Sequence, residues 1–128
     1  PTILALDLAG EGAVAGQAIL INKIVVSVGS KWATLPMFSV WVSPTTFTGT
    51  NDNAAFDIDD ATNRSGRVFS CATTNSSASN SRAACDATQE EMKLAAADTK
   101  LYVALQLQNA PTPVAQERID VTVWGLLL

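Results

Sequence analysis

Leu101, Val103, Leu105 and Leu107 alternate with Tyr102, Ala104, Gln106 and Gln108. A period of two puts the first set on one face of an extended chain and the second on the other, so residues 100–108 predict a half-buried antiparallel strand. The same alternation sets Phe38, Val40 and Val42 against Met37, Ser39 and Trp41, and turns Ile119, Val121 and Val123 inward along 118–124. Residues 18–27, rich in Ile and Val and stopped by Gly29 and Ser30, read as another strand. Residues 54–58 and 67–71 predict brief strands near a sheet edge. The segment Asn109-Ala110-Pro111-Thr112-Pro113 has two prolines that exclude it from a central strand, so the last two strands are expected to form a long hairpin around it. Only residues 88–97 suggest a helix. There Thr88 can cap, Glu90 and Glu91 suit the first turn, and Met92, Leu94, Ala95 and Ala96 offer an apolar side. The pattern predicts an all-β chain, an antiparallel β-sandwich with at most one short helix. With no repeat, heptad or shift in composition, residues 1–128 are expected to form a single domain.

Composition adds a question of surface. Of the 128 residues, 48% are hydrophobic and 16% charged, against a usual charged share of about 25%. A domain of this size buries roughly two-thirds of its unfolded surface, so the exposed remainder is unusually apolar and a subunit interface is expected. The formal charge of −4 leaves no basic surface for counterion release, so nucleic acid is not an expected partner. No apolar run approaches the roughly 20 residues that span a bilayer, and no export signal is visible. The expectation is a soluble chain made in the cytoplasm, with no membrane partner.

The candidate chemistry is sparse. With no histidine, neither a Ser-His-Asp nor a Cys-His arrangement can be built, and the commonest metal ligand is missing. Asp52, Asp57, Asp59 and Asp60 form the densest acidic group. They lack the glycine and the terminal glutamate of a calcium loop and read better as turn-fixing side chains. Asp7 stands alone between Leu6 and Leu8, whereas a glycosidase needs two carboxylates across a cleft. The lysines fall in no Ser-x-x-Lys pattern, and Gly10-Glu11-Gly12 completes no phosphate loop. The expectation is no enzyme, no cofactor and no metal.

Cys71 and Cys85 bracket a small, polar Ser- and Asn-rich segment. A disulfide closing it is one reading, worth roughly 3 kcal/mol in the chain-entropy model. Two free thiols in a cytoplasmically made protein is the other.

Trp32, Trp41 and Tyr102 could stack on sugar rings, although tryptophan in a β domain more often packs core or interface. The two ends carry the densest apolar runs: Ile3, Leu4, Leu6 and Leu8 at the start, then Trp124, Leu126, Leu127 and Leu128 at the finish. Each fully exposed Leu forgoes about 1.5 to 3 kcal/mol of burial, so both ends are expected to lie in an interface. The alternative for both ends is ordinary closure of the sandwich by the first and last strands, which is favoured for Ile3 to Leu8 taken alone.

Four segments together resemble a pattern found in small structural proteins of tailed bacteriophages. They are Pro36-Met37-Phe38-Ser39-Val40-Trp41-Val42-Ser43-Pro44-Thr45, then Asp52-Asn53-Ala54-Ala55-Phe56, then Asp59-Asp60-Ala61 and Gly66-Arg67-Val68. The resemblance spans about residues 35–69 and, more loosely, the late strand at 100–108 and the terminal strand; the Cys71 to Cys85 loop has no place in it. It implies a jelly-roll-like sandwich on the virion surface, a capsid decoration or cement protein. Such a protein binds the major capsid protein, is often trimeric and carries no catalytic residues. The competing expectation is a carbohydrate-binding or host-attachment module of a virion fibre that uses the aromatics.

Overall fold

The computed structural model describes residues 3–29, 34–47, 66–75, 81–108 and 118–128. Among the described residues eight strands form two antiparallel four-stranded sheets that pack as a β-sandwich. They are β1 (Leu4–Asp7), β2 (Ala18–Val28), β3 (Met37–Ser43), β4 (Arg67–Ala72), β5 (Thr74–Asn75), β6 (Ser81–Lys93), β7 (Lys100–Leu107) and β8 (Ile119–Leu127). One sheet runs β1-β7-β3-β4 and the other β5-β6-β2-β8.

The alternation read from the sequence forms the core. Phe38, Val40 and Val42 of β3 and Leu101 and Val103 of β7 are almost wholly buried against Ile24, Val26 and Val28 of β2. Two side-chain pairs on the inner faces bridge the sheets. Cys71 of β4 and Cys85 of β6 are joined in a disulfide, with Cα atoms 5.1 Å apart and both residues in the core. Arg67 of β4 donates to Glu90 of β6 at 3.2 Å.

β2 holds a feature that alternation alone does not foresee. Ile19 and Ile21 point inward, Asn22 and Lys23 both face solvent, and Ile24, Val26 and Val28 point inward again. The register on both neighbours shifts between Ile21 and Lys23, so a bulge at Asn22 moves the inward phase by one residue. Gln89, on β6 beside this bulge, takes a left-handed φ of 52°.

Two expectations are corrected. Residues 88–97 are not a helix: β6 continues to Lys93, with Met92 and Leu94 buried and Glu91 and Lys93 exposed, a period of two that beats a modest helical pattern. The last two strands are not a hairpin either, because β7 lies between β1 and β3 while β8 pairs with β2 in the opposite sheet. The only helical turn among the described residues is a 3-10 turn at Leu8–Glu11, capped by Asp7 and ended by Gly12 at φ 90°. The expected strand at 54–58 lies outside the described residues.

Candidate functional site

The first and last strands are the edges of opposite sheets and lie on the same flank of the sandwich. Between them the layers open into an apolar groove of about 800 Å³, lined by Leu6, Leu8, Ile19, Leu101, Val121 and Val123 among others. Leu6, Leu8, Val121 and Val123 are partly buried and pack on the core from its open side. The residues around the groove are left in water: Leu4 is 46% exposed, Trp124 60%, Leu126 58%, Leu127 37% and Leu128 57%. Ile3 is half-buried.

Of the eight apolar positions singled out at the two ends, Leu6, Leu8, Trp124, Leu126 and Leu127 border this groove, although more than a hundred residues separate the first two from the rest; Ile3, Leu4 and Leu128 are not part of its lining. Two of them, Leu6 and Leu8, complete the core edge. The other contributors to this surface escaped the sequence. Val14 is 64% exposed, and Gln17 ties its neighbourhood to the last strand. The Gln17 side-chain amide donates to the Leu128 carbonyl at 3.1 Å, and its Oε1 accepts from the Val14 N–H at 2.9 Å. A glutamine with a partner 111 residues away carries no local signal.

Asp7, isolated in the sequence, has defined work beside the groove. Its Oδ1 accepts from the Ala9 N–H at 3.0 Å and from the Thr99 hydroxyl at 2.8 Å, which docks the start of the chain onto the turn before β7. Asp98, in that turn, accepts from the Tyr102 hydroxyl at 2.7 Å and from the N–H groups of Thr99 and Lys100. The Ala9 N–H, the Thr99 hydroxyl and the Lys100 charge lower the Asp7 pKa from its ordinary 3.8. The Tyr102 hydroxyl, the Thr99 and Lys100 N–H groups and the Lys100 charge do the same for Asp98. The bond to Asp98, with partial desolvation, raises Tyr102 above its ordinary 10.0.

The two carboxylates stabilise the fold above about pH 3.8, and that contribution is lost as pH falls through their depressed folded values. Tyr102 contributes below about pH 10.0 and loses its contribution as pH rises through its raised folded value. Tyr102→Phe should therefore flatten the alkaline loss of stability and raise the Asp98 titration. Urea midpoints against pH, with carboxyl NMR titration, check both.

No protein-family model, curated protein or solved structure matches this chain.

The aromatic candidates lie elsewhere. Trp41 and Tyr102 share the outer face of the β1-β7-β3-β4 sheet, where Trp41 pairs with Ala104 and Tyr102 with Ser43, so they are diagonal neighbours. The Trp41 Nε1–H donates to Gln106 Oε1 at 3.3 Å, and the Gln108 amide donates to Ser39 on the same face. Trp32 lies outside the described residues, as do Asp52, Asp57, Asp59 and Asp60.

Proposed function

We propose that this chain is a structural subunit of a virion, one that decorates a bacteriophage capsid and stabilises it by multivalent surface binding rather than by chemistry. The observation that carries the reading is the terminal flank: exposed leucines and a tryptophan gathered along two strand edges around an apolar groove. Exposed apolar surface of this kind, concentrated rather than scattered, marks an interaction site. The resemblance of residues 35–69 to small tailed-phage structural proteins supplies the kind of assembly. In that role the protein adds binding free energy across joints between subunits of the major capsid protein, and self-association multiplies it.

The test is co-sedimentation with shells assembled from the major capsid protein of the same genome. Saturable, stoichiometric binding that raises the melting temperature of the shells is expected. Shells that pellet without the protein contradict the reading.

The Trp41 and Tyr102 face favours a second reading, a carbohydrate-binding module. An aromatic pair beside hydrogen-bonding amides and hydroxyls on one sheet face is suited to a sugar ring. Glycan-array binding lost on Trp41→Ala would favour it over shell binding.

A further inference from the structure

β8 is a nine-residue edge strand without proline or lysine, the residues that commonly protect such an edge. Its hydrogen-bonding sides can be assigned. The Leu128 N–H donates to the Ala18 carbonyl, and the Arg118 carbonyl accepts from the Gly29 N–H, so the even-numbered residues face β2. In an antiparallel ladder these groups alternate. The N–H and C=O groups of Ile119, Val121, Val123, Gly125 and Leu127 therefore point away from β2, and among the described residues no strand pairs with them.

This set is symmetric about Val123. We propose that β8 pairs antiparallel with β8 of a second copy, about a two-fold axis at Val123. Ile119 then meets Leu127 of the other copy, Val121 meets Gly125, and Val123 meets itself, so every outward backbone group on the strand finds a partner. Inner faces meet inner faces because the parity is conserved. On the outer face Thr122 lies opposite Trp124 and Asp120 opposite Leu126. No like charges are opposed, and Asp120 is already ion-paired with Arg118 at 2.9 Å.

The size suits a dimer. A nine-residue strand is about 30 Å long and a two-layer edge is about 20 Å deep, giving a footprint of roughly 600 Å², close to the ~800 Å² per partner of a standard interface. The symmetry also favours two copies over the three that the phage resemblance implies. A cyclic trimer needs two different engaged surfaces, whereas the outward groups of the β8 edge complement themselves about a two-fold axis.

The inference deepens the structural reading above and rests on it for its purpose. Sedimentation equilibrium of the full chain tests it, with three variants placed by the register. Leu126 is on the outer face and 58% exposed, so the fold tolerates its replacement. Leu126→Asp faces Asp120 of the other copy twice per dimer, whereas Leu126→Lys faces it with opposite charge. A wild-type dimer is expected, with Leu126→Asp about tenfold weaker than Leu126→Lys. Adding Asp120→Lys to Leu126→Asp should restore the dimer. A wild-type monomer throughout the micromolar range, a trimer, or equal weakening by both Leu126 variants overturns the proposal. A dimer that binds no shells removes the virion reading and leaves the β8 contact standing; a monomer that binds shells does the reverse.

Discussion

Reducing the Cys71–Cys85 disulfide is expected to lower the unfolding free energy by about 3 kcal/mol and the melting temperature by about 10 °C. The bond closes a loop with a sequence separation of 14, short enough for chain entropy to set that scale. It also does more than close the loop. Cys71 belongs to the β1-β7-β3-β4 sheet and Cys85 to the other, so it ties the layers together on the flank opposite the terminal groove. Cys71→Ser with Cys85→Ser should cost more than reduction, because both positions are buried and each serine hydroxyl loses its water there, whereas the reduced thiols behave as small apolar groups. Differential scanning calorimetry with and without reductant checks the value, and an unchanged melting temperature would show that packing alone holds the sheets.

Gly125→Ala is expected to cost about 2 to 3 kcal/mol, a large penalty for one methyl group on an exposed strand. A Cβ at this position overlaps the Leu20 carbonyl oxygen, because β8 and β2 approach closely beside the bulge at Asn22. The atom it meets is backbone, which cannot swing aside as a side chain would. The end of β8 must lift, releasing the pairs Gly125 with Ile21, Leu126 with Leu20 and Leu127 with Ile19. The loss should therefore be confined: faster amide exchange at Leu126 and Leu128, with Thr122 and Asp120 still protected. A uniform loss of protection along β8 would contradict this account.

Most of the strands were legible because sheets write a period of two into the chain; β3 and β7 bury most of the inward set read from it, although Ser39, Ser43 and Ala104 of the other face are buried as well. Their inward sets, Phe38, Val40 and Val42 or Leu101 and Val103, are the ones found in the core. The pairing was not legible. Nothing local distinguishes a β8 that folds back on β7 from one that crosses to β2, since either partner satisfies the same alternation. The bulge at Asn22 is equally silent, because a polar pair such as Asn22 and Lys23 can interrupt a strand or bend it. Residues 88–97 misled because Met92 and Leu94 fit one face of a strand as well as the side of a short helix, and burial decided for the strand.

The apolar ends were legible as an excess of leucine. That several of them border one groove follows only from topology, which sets β1 and β8 as edges of different sheets on one flank. Gln17, which fastens Leu128 to the start of β2, belongs to that same long-range information.

The central claim is that another copy of the chain covers this flank, and hydrogen exchange of the β8 amides at low and high protein concentration tests it most directly. The amides of Asp120, Thr122, Trp124 and Leu126 face β2 and should be protected at both. Those of Ile119, Val121, Val123, Gly125 and Leu127 should exchange freely when dilute and become protected as concentration rises. Free exchange of the second set at every concentration would contradict the account.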